Sequence, residues 1–139
     1  MNILVLNYEF PPLGGGASPV SYDIARELII KGHNVDVVTM HYKGLPFFEV
    51  KEGINIHRVK CLRKYKEICK THEMLSFVVS ARIYLKQLLE KKSYDICHCH
   101  FIIPNGILAR WLTKKYGLPY VITAHGSVVP GYNPYRFQF

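Results

Sequence analysis

The sequence predicts an α/β fold, a doubly wound parallel sheet with helices on both faces. Three observations predict it. Short apolar, β-branched runs alternate with helical patterns along the 139 residues, the order expected of βαβ units. One run, Asn34–Met40, is nearly continuously apolar, as a strand covered on both faces of a parallel sheet must be. The first run leads through a glycine loop directly into a helix, which is how such folds set a helix N-terminus against a ligand.

The first strand is expected at Ile3–Leu6, followed by Pro11, Pro12 and the consecutive Gly14, Gly15 and Gly16. Glycines let a backbone approach a ligand that any Cβ would hold off; the plainer reading is a tight turn that binds nothing. Ser18 suits an N-cap and Pro19 the first helical position. The first helix is therefore expected over about Pro19–Lys31, burying Val20, Ile24 and Leu28 and ending at Gly32. After the Asn34–Met40 strand, His41–Gly53 reads as a loop broken by Gly44 and Pro46. The third strand, Ile54–Lys60, alternates cleanly and suits an edge.

Cys61–Lys70 is basic and aperiodic, and a long helix follows over about His72–Lys92. Its Met74, Val78, Ala81, Leu85 and Leu88 form one apolar face. The fourth strand is expected at Tyr94–Phe101. Pro104 opens the next helix, which carries Ile107, Leu108, Trp111 and Leu112 inward, holds Lys114 and Lys115 in its last turn and stops at Gly117. The fifth strand is Pro119–Ala124, before His125, Gly126, Ser127 and an aromatic, turn-rich tail. The expected strand order is 3-2-1-4-5, with the whole of 1–139 as one domain. The tail resembles the start of a further element, so a fragment or half of a two-domain protein is expected.

Composition narrows the function classes. Hydrophobic content of 49% with 20% charged residues is that of an ordinary globular protein. No apolar run approaches the roughly 20 residues that span a bilayer, and no secretory leader is visible. The four cysteines form no disulfide framework, and a cytoplasmic setting is expected. A formal net charge of +8 favours an anionic partner. Nucleic acid is not expected, because no recognised module or aromatic platform accompanies the charge. The basic run Arg58, Lys60, Arg63, Lys64, Lys66 and Lys70, with Met74, Leu75, Phe77, Val78 and Val79 after it, reads as a solvated surface or as a patch for anionic lipid heads.

In an open parallel sheet, ligands bind beyond the carboxyl ends of the strands, where the strand order reverses. Here that point falls between the first and fourth strands. The glycine loop, the segment from His100 to Asn105 and the His125–Gly126 step all converge on it. His125 has the stronger claim of the histidines, because it leaves a buried strand at the ligand edge; a structural role is the alternative. The loop fits neither standard nucleotide fingerprint. Pro19 stands where a third glycine belongs, no acid follows the second strand, and Gly-Lys-Ser/Thr is absent. Cys97-His98-Cys99-His100 invites a metal, but alternation sends the cysteines to one face and the histidines to the other. We expect no metal and no cofactor there. Cys97, Cys99 and His98 are read as core, with His100 reaching the cleft.

These residues, taken in order, carry a family resemblance. Pro11-Pro12 to Gly15-Gly16, Gly32-His33-x-Val35-x-Val37, Tyr94-Asp95-Ile96-x-His98-x-His100-Phe101, Pro104-x-Gly106 and Gly117-x-Pro119 to Thr123-x-His125-Gly126 resemble the N-terminal domain of GT-B retaining glycosyltransferases. The branch is the family 4-like group that includes sucrose-phosphate synthases and lipopolysaccharide and phosphatidylinositol mannosyltransferases. The resemblance implies a Rossmann-like, acceptor-side half, paired with a C-terminal half that holds most of a nucleotide-diphosphate sugar and is absent here. It implies Gly14, Gly15 and Gly16 near the donor diphosphate, His125 as the catalytic residue beside the transferred sugar, and no metal for the chemical step. His100, Asn105, Gly126 and Ser127 are the candidate cleft residues on the side of a carbohydrate or lipid-linked acceptor. Ser127 stands where the family often has an acid, so no acid role is expected of it. Docking of the Arg58–Lys70 region on the inner face of a membrane is a further implication. A non-catalytic half-domain that pairs with another chain is the competing reading; an epimerase is disfavoured by the missing third glycine and acid.

Overall fold

The computed structural model describes residues 1–125. Its elements are β1 (Asn2–Leu6), α1 (Ala17–Ile30), β2 (Asn34–Met40), β3 (Phe48–Lys51), β4 (Ile54–Val59), α2 (Thr71–Lys91), β5 (Ile96–His100), α3 (Asn105–Tyr116) and β6 (Tyr120–Thr123). They form one six-stranded sheet in the order β3-β4-β2-β1-β5-β6. Pairing is parallel except between β3 and β4. The predicted order of five strands is therefore present, with one antiparallel strand added outside it.

That added strand corrects two expectations. Phe48–Lys51 lies in the segment read as a loop, and β4 is consequently interior, not an edge. The hairpin turns on Glu52 and Gly53, both at positive φ (50° and 83°), as a two-residue turn that matches strand twist requires. Glu in the first of these positions is what hid the turn, since Asn or Asp is the usual signal. At the other side β6 forms the edge among the described residues, and Val121 is 51% exposed, so the strand before His125 is not the buried one expected.

Alternation along the strands divides the core between two faces. Ile3, Val5, Val35, Val37, Ile54 and Ile56 pack beneath α1. Leu4, Leu6, Val38, Met40, Cys97 and Cys99 pack beneath α2 and α3, which contribute Phe77, Ala81, Leu85, Leu88, Leu108, Ala109 and Leu112. The buried line of α2 thus runs through Phe77, with Met74 and Val78 only half-buried against it.

Helix α1 differs more. It starts at Ala17 with Gly16 in the N-cap position and no side-chain cap, so Ser18 does not cap it. Ser18, Ser21 and Ala25 are its buried residues, while Val20 is 46% exposed. A polar anchor selects that face: buried Asn7, just past β1, donates from Nδ2 to Ser21 Oγ at 2.9 Å, and Ser21 Oγ donates to the Ser18 carbonyl at 2.8 Å. Small side chains let the helix seat on this anchor, and the apolar stripe read from the sequence rotates partly outward.

A second polar knot ties β2 to α2. Asp36 is buried and accepts from Lys92 Nζ at 2.7 Å, from Asn55 Nδ2 at 2.6 Å and from the Tyr94 hydroxyl. His57 Nε2 lies 3.8 Å away. Burial alone would raise the carboxyl pKa, but these partners override it and hold the group well below the usual carboxylate range. The folded pKa is depressed, so the stabilisation is present above the unfolded carboxyl pKa of about 4 and lost as pH falls below it. Asp36→Asn is expected to cost about 3 kcal/mol at pH 7. Urea unfolding of both proteins at pH 7 and pH 3 checks this: the gap should narrow at the lower pH.

Candidate functional site

The carboxyl edge of the parallel strands carries the residues that the sequence singled out. β1 runs out into Asn7 and the glycine loop, β5 ends at His100, and β6 leads to His125. The register Leu6↔Cys99 and His100↔Thr123 brings these strand ends level. The strand order reverses between β1 and β5, which is the crevice position of an open α/β sheet.

The histidines form a stack. His98 and His100 have ring centroids 4.2 Å apart, and His100 and His125 are 5.4 Å apart at 17°. His100 Nδ1 lies 3.1 Å from His125 Nε2, and His98 Nε2 lies 2.7 Å from Thr123 Oγ1. His100 is fully buried; it lies under His125 and does not itself reach the cleft as expected. Desolvation pushes its pKa down to about 3, with the neighbouring histidines adding to the effect. Burial also lowers His125 and His98, so the stack is neutral near pH 7. Cys97 and Cys99 point into the opposite face, against α2 and α3. Among the described residues no group of three His, Cys, Asp or Glu side chains, this stack included, is arranged to hold a metal ion.

Asn105, the first residue of α3, is also buried, and its Nδ2 donates to the His100 carbonyl at 2.5 Å. It closes the end of β5 from beneath. Phe101 makes this turn possible and was missed as a site residue. Its φ is 70°, a left-handed conformation that costs a non-glycine residue about 1 kcal/mol. The turn lays its ring 4.6 Å from His125 and 5.2 Å from Tyr8. A histidine-phenylalanine pair ending a strand was the only signal available for it.

The three loop glycines are not equivalent. Gly14 has φ 89°, and a Cβ there would meet the Glu9 side chain at 2.7 Å. Gly14 N also donates to the Lys66 carbonyl at 2.9 Å. Gly14 is thus packed against protein, whereas a Cβ on Gly15 or Gly16 would meet nothing within 4 Å. Glu9, and Arg63 from the basic run, hold this arrangement through a pairing the sequence did not reveal. Arg63 is almost wholly buried and donates to Glu9 Oε1 at 3.4 Å, to the Lys66 carbonyl at 3.0 Å and to the Tyr65 carbonyl at 2.9 Å. Burial raises the Glu9 pKa, and Arg63 offsets part of that rise. Nothing in the local sequence pairs residues this far apart.

The proposed basic surface is correspondingly reduced. Arg63 is committed to Glu9, and Arg58 is buried on Glu49 at 2.6 Å. Phe77 belongs to the core. Lys60, Lys64, Lys66 and Lys70 remain exposed. Gly126 and Ser127, the other candidate cleft residues, lie outside the described residues.

Comparison with known proteins bears on the family and the fold. The profile of Glycosyltransferase Family 4 matches residues 14–139. An uncharacterised glycosyltransferase of Methanocaldococcus jannaschii is 30% identical over 132 residues, covering 93% of this chain and 32% of its own. The chain thus spans about a third of the length of that curated relative. Sucrose-phosphate synthase from Thermosynechococcus elongatus superposes with a TM-score of 0.74 at 16% identity, over 89% of this chain and 33% of the synthase. The catalytic domain of starch synthase IV from Arabidopsis thaliana gives 0.70 at 16%, over 91% and 34%. These two likenesses establish the fold. With the profile covering nearly its whole length, the chain belongs to Glycosyltransferase Family 4.

Proposed function

We propose that this chain is the acceptor-side half of a retaining glycosyltransferase, which moves a sugar from a nucleotide-diphosphate sugar to a carbohydrate or lipid-linked acceptor. The observation that carries the reading is the meeting of the open Gly15–Gly16 backbone and His125 at one reversal of strand order. Helix α1 begins there with no side-chain cap and no acid in its first turn. Of its leading N–H groups, Ser18 N donates to the Gly15 carbonyl at 3.1 Å and Pro19 has none; the partial positive charge of this helix end suits a diphosphate. Ser18 Oγ, buried beside them, has no partner among the described residues.

Charge develops on the diphosphate as the glycosidic bond to it breaks. Backbone donors fixed before the reaction stabilise that charge without reorganising. His125, neutral near pH 7, contributes a hydrogen bond to the sugar or phosphate and not a positive charge. The remaining wall of the cleft, with the nucleotide and most of the diphosphate, belongs to a second half. The loop is one side of a site.

Transfer assays on the full-length gene product, over a panel of nucleotide-diphosphate sugars, test this reading. His125→Ala is expected to lower kcat/KM at least tenfold, about 1.4 kcal/mol, with little change in Tm. Full transfer activity in that variant would overturn the assignment of His125. The glycines are separable in the same assays. Gly14→Ala should destabilise the fold by about 1–3 kcal/mol through strain and contact with Glu9. Gly15→Val should leave unfolding nearly unchanged and weaken donor binding, read by calorimetry.

A membrane-facing surface is favoured by one specific observation. Leu75, Val79 and Ile83 recur every fourth residue along α2 and are 58%, 61% and 58% exposed. Such a row is unusual on a helix whose opposite face is already buried. Lys60, Lys64, Lys66 and Lys70 are exposed in the segment that precedes this helix, so apolar insertion and attraction to anionic head groups would act together. Sedimentation with phosphatidylglycerol-containing vesicles should show binding that is lost on charge reversal at Lys64 and Lys66. No binding by the unmutated protein would refute the surface.

A further inference from the structure

The buried histidine stack sets which nitrogen of His125 carries the proton. We propose that His100 is a positioning residue that fixes His125 as the Nδ1–H tautomer, making it a hydrogen-bond donor toward the cleft. The inference takes its functional meaning from the reading of His125 above, but its physical content stands on the geometry alone.

The argument is a proton count. Neutral imidazole has one donor and one acceptor nitrogen. The 3.1 Å contact between His100 Nδ1 and His125 Nε2 therefore needs one proton between two nitrogens. If His125 supplied it, His100 Nδ1 would be the acceptor and its proton would sit on Nε2. That nitrogen is buried and has no partner among the described residues. An orphaned buried N–H is rare in folded proteins, and leaving a donor unpaired costs about 1–3 kcal/mol. If His100 supplies it, the proton lies on Nδ1, used in the bond, and only a bare acceptor is left at Nε2.

The second arrangement wins, and its consequence passes to the next ring. His125 Nε2 becomes the acceptor, so the His125 proton sits on Nδ1. This is the nitrogen not committed to His100. The hydrogen bond made by one imidazole nitrogen sets the state of the other. His98, on the far side of His100 and bonded to Thr123, confines the central ring from the opposite direction. A histidine held in this way donates to a sugar hydroxyl or phosphate oxygen; it does not accept a proton from the acceptor hydroxyl.

Long-range proton–nitrogen spectra of the chain, uniformly labelled with nitrogen-15 at histidine, test the proposal without any substrate. His125 is assigned from its loss in His125→Gln. In the unmutated protein the expected result is a protonated Nδ1 and an unprotonated, acceptor-type Nε2. In His100→Phe the donor is removed and the two His125 nitrogen shifts should move toward the reverse order, the preference of free imidazole. His98→Phe keeps the His100–His125 bond and should leave the order unchanged. A protonated Nε2 on His125 in the unmutated protein overturns the proposal, whether or not His100→Phe folds. So does an Nδ1–H state that persists in a folded His100→Phe. No donor or acceptor is present, so failure here leaves the glycosyl-transfer reading standing, and failure of transfer leaves the tautomer standing.

Discussion

The structure depends on the double burial of β1. Its Ile3 and Val5 face one helical layer and Leu4 and Leu6 the other, so neither face meets water. A parallel strand in this position needs helices on both sides. The chain therefore crosses to one side after β1 and reaches β5 from the other. Two neighbouring strands whose connections depart in opposite directions leave a gap at their carboxyl ends. The cleft is thus a geometric by-product of burying the central strand. Function occupies a place that packing had already made.

What fills that place is polar, and it is kept rigid by satisfied neighbours. Asn7 binds Ser21 under the start of α1, Asn105 closes the His100 carbonyl, and Thr123 holds His98. Each removes a freedom from a side chain or strand end bordering the crevice. Against these stand a few buried atoms without partners among the described residues, His100 Nε2, Asn105 Oδ1 and Ser18 Oγ included. Their cost is of the order of 1–3 kcal/mol each. Three of the five such atoms among the described residues border the proposed site, and the other two, Thr39 Oγ1 and His57 Nε2, lie on β2 and β4.

The strands and helices were legible because their signals are local. Asn34–Met40 carries Val35, Val37, Val38 and Met40 on both faces, and Gly117 closes α3 at φ 71° as its position foretold. The β3–β4 hairpin escaped because Glu52 occupies a position normally marked by Asn or Asp. The buried face of α1 escaped for a different reason. Hydrophobic periodicity points to Val20, Ile24 and Leu28, but the Asn7–Ser21 bond draws the serine face inward, and a tertiary hydrogen bond has no periodicity to read. The charged surface was misread in the same way. Arg58 and Arg63 look like two more cations in a basic run, and only the folded chain sets them on Glu49 and Glu9.

The glycine loop shows where this limit bears on chemistry. Three identical residues in a row carry three identical sequence signals, yet Glu9 and the Lys66 carbonyl take up the space and the amide of Gly14 alone. Arg63 fastens the Cys61–Lys70 segment to Glu9, so that segment acts as a brace behind the loop. A braced Gly14 fixes the direction in which Gly15 and Gly16 leave the sheet, and with it the axis of α1. The Glu9 carboxylate also accepts from the Gly15 N–H, so on the proposed reading Gly16 and the start of α1 are what this wall offers an anion. Pro19 contributes no N–H to the first turn, so this wall supplies only a few donors. On the proposed reading, such a wall would stabilise charge on a diphosphate only together with an opposing surface.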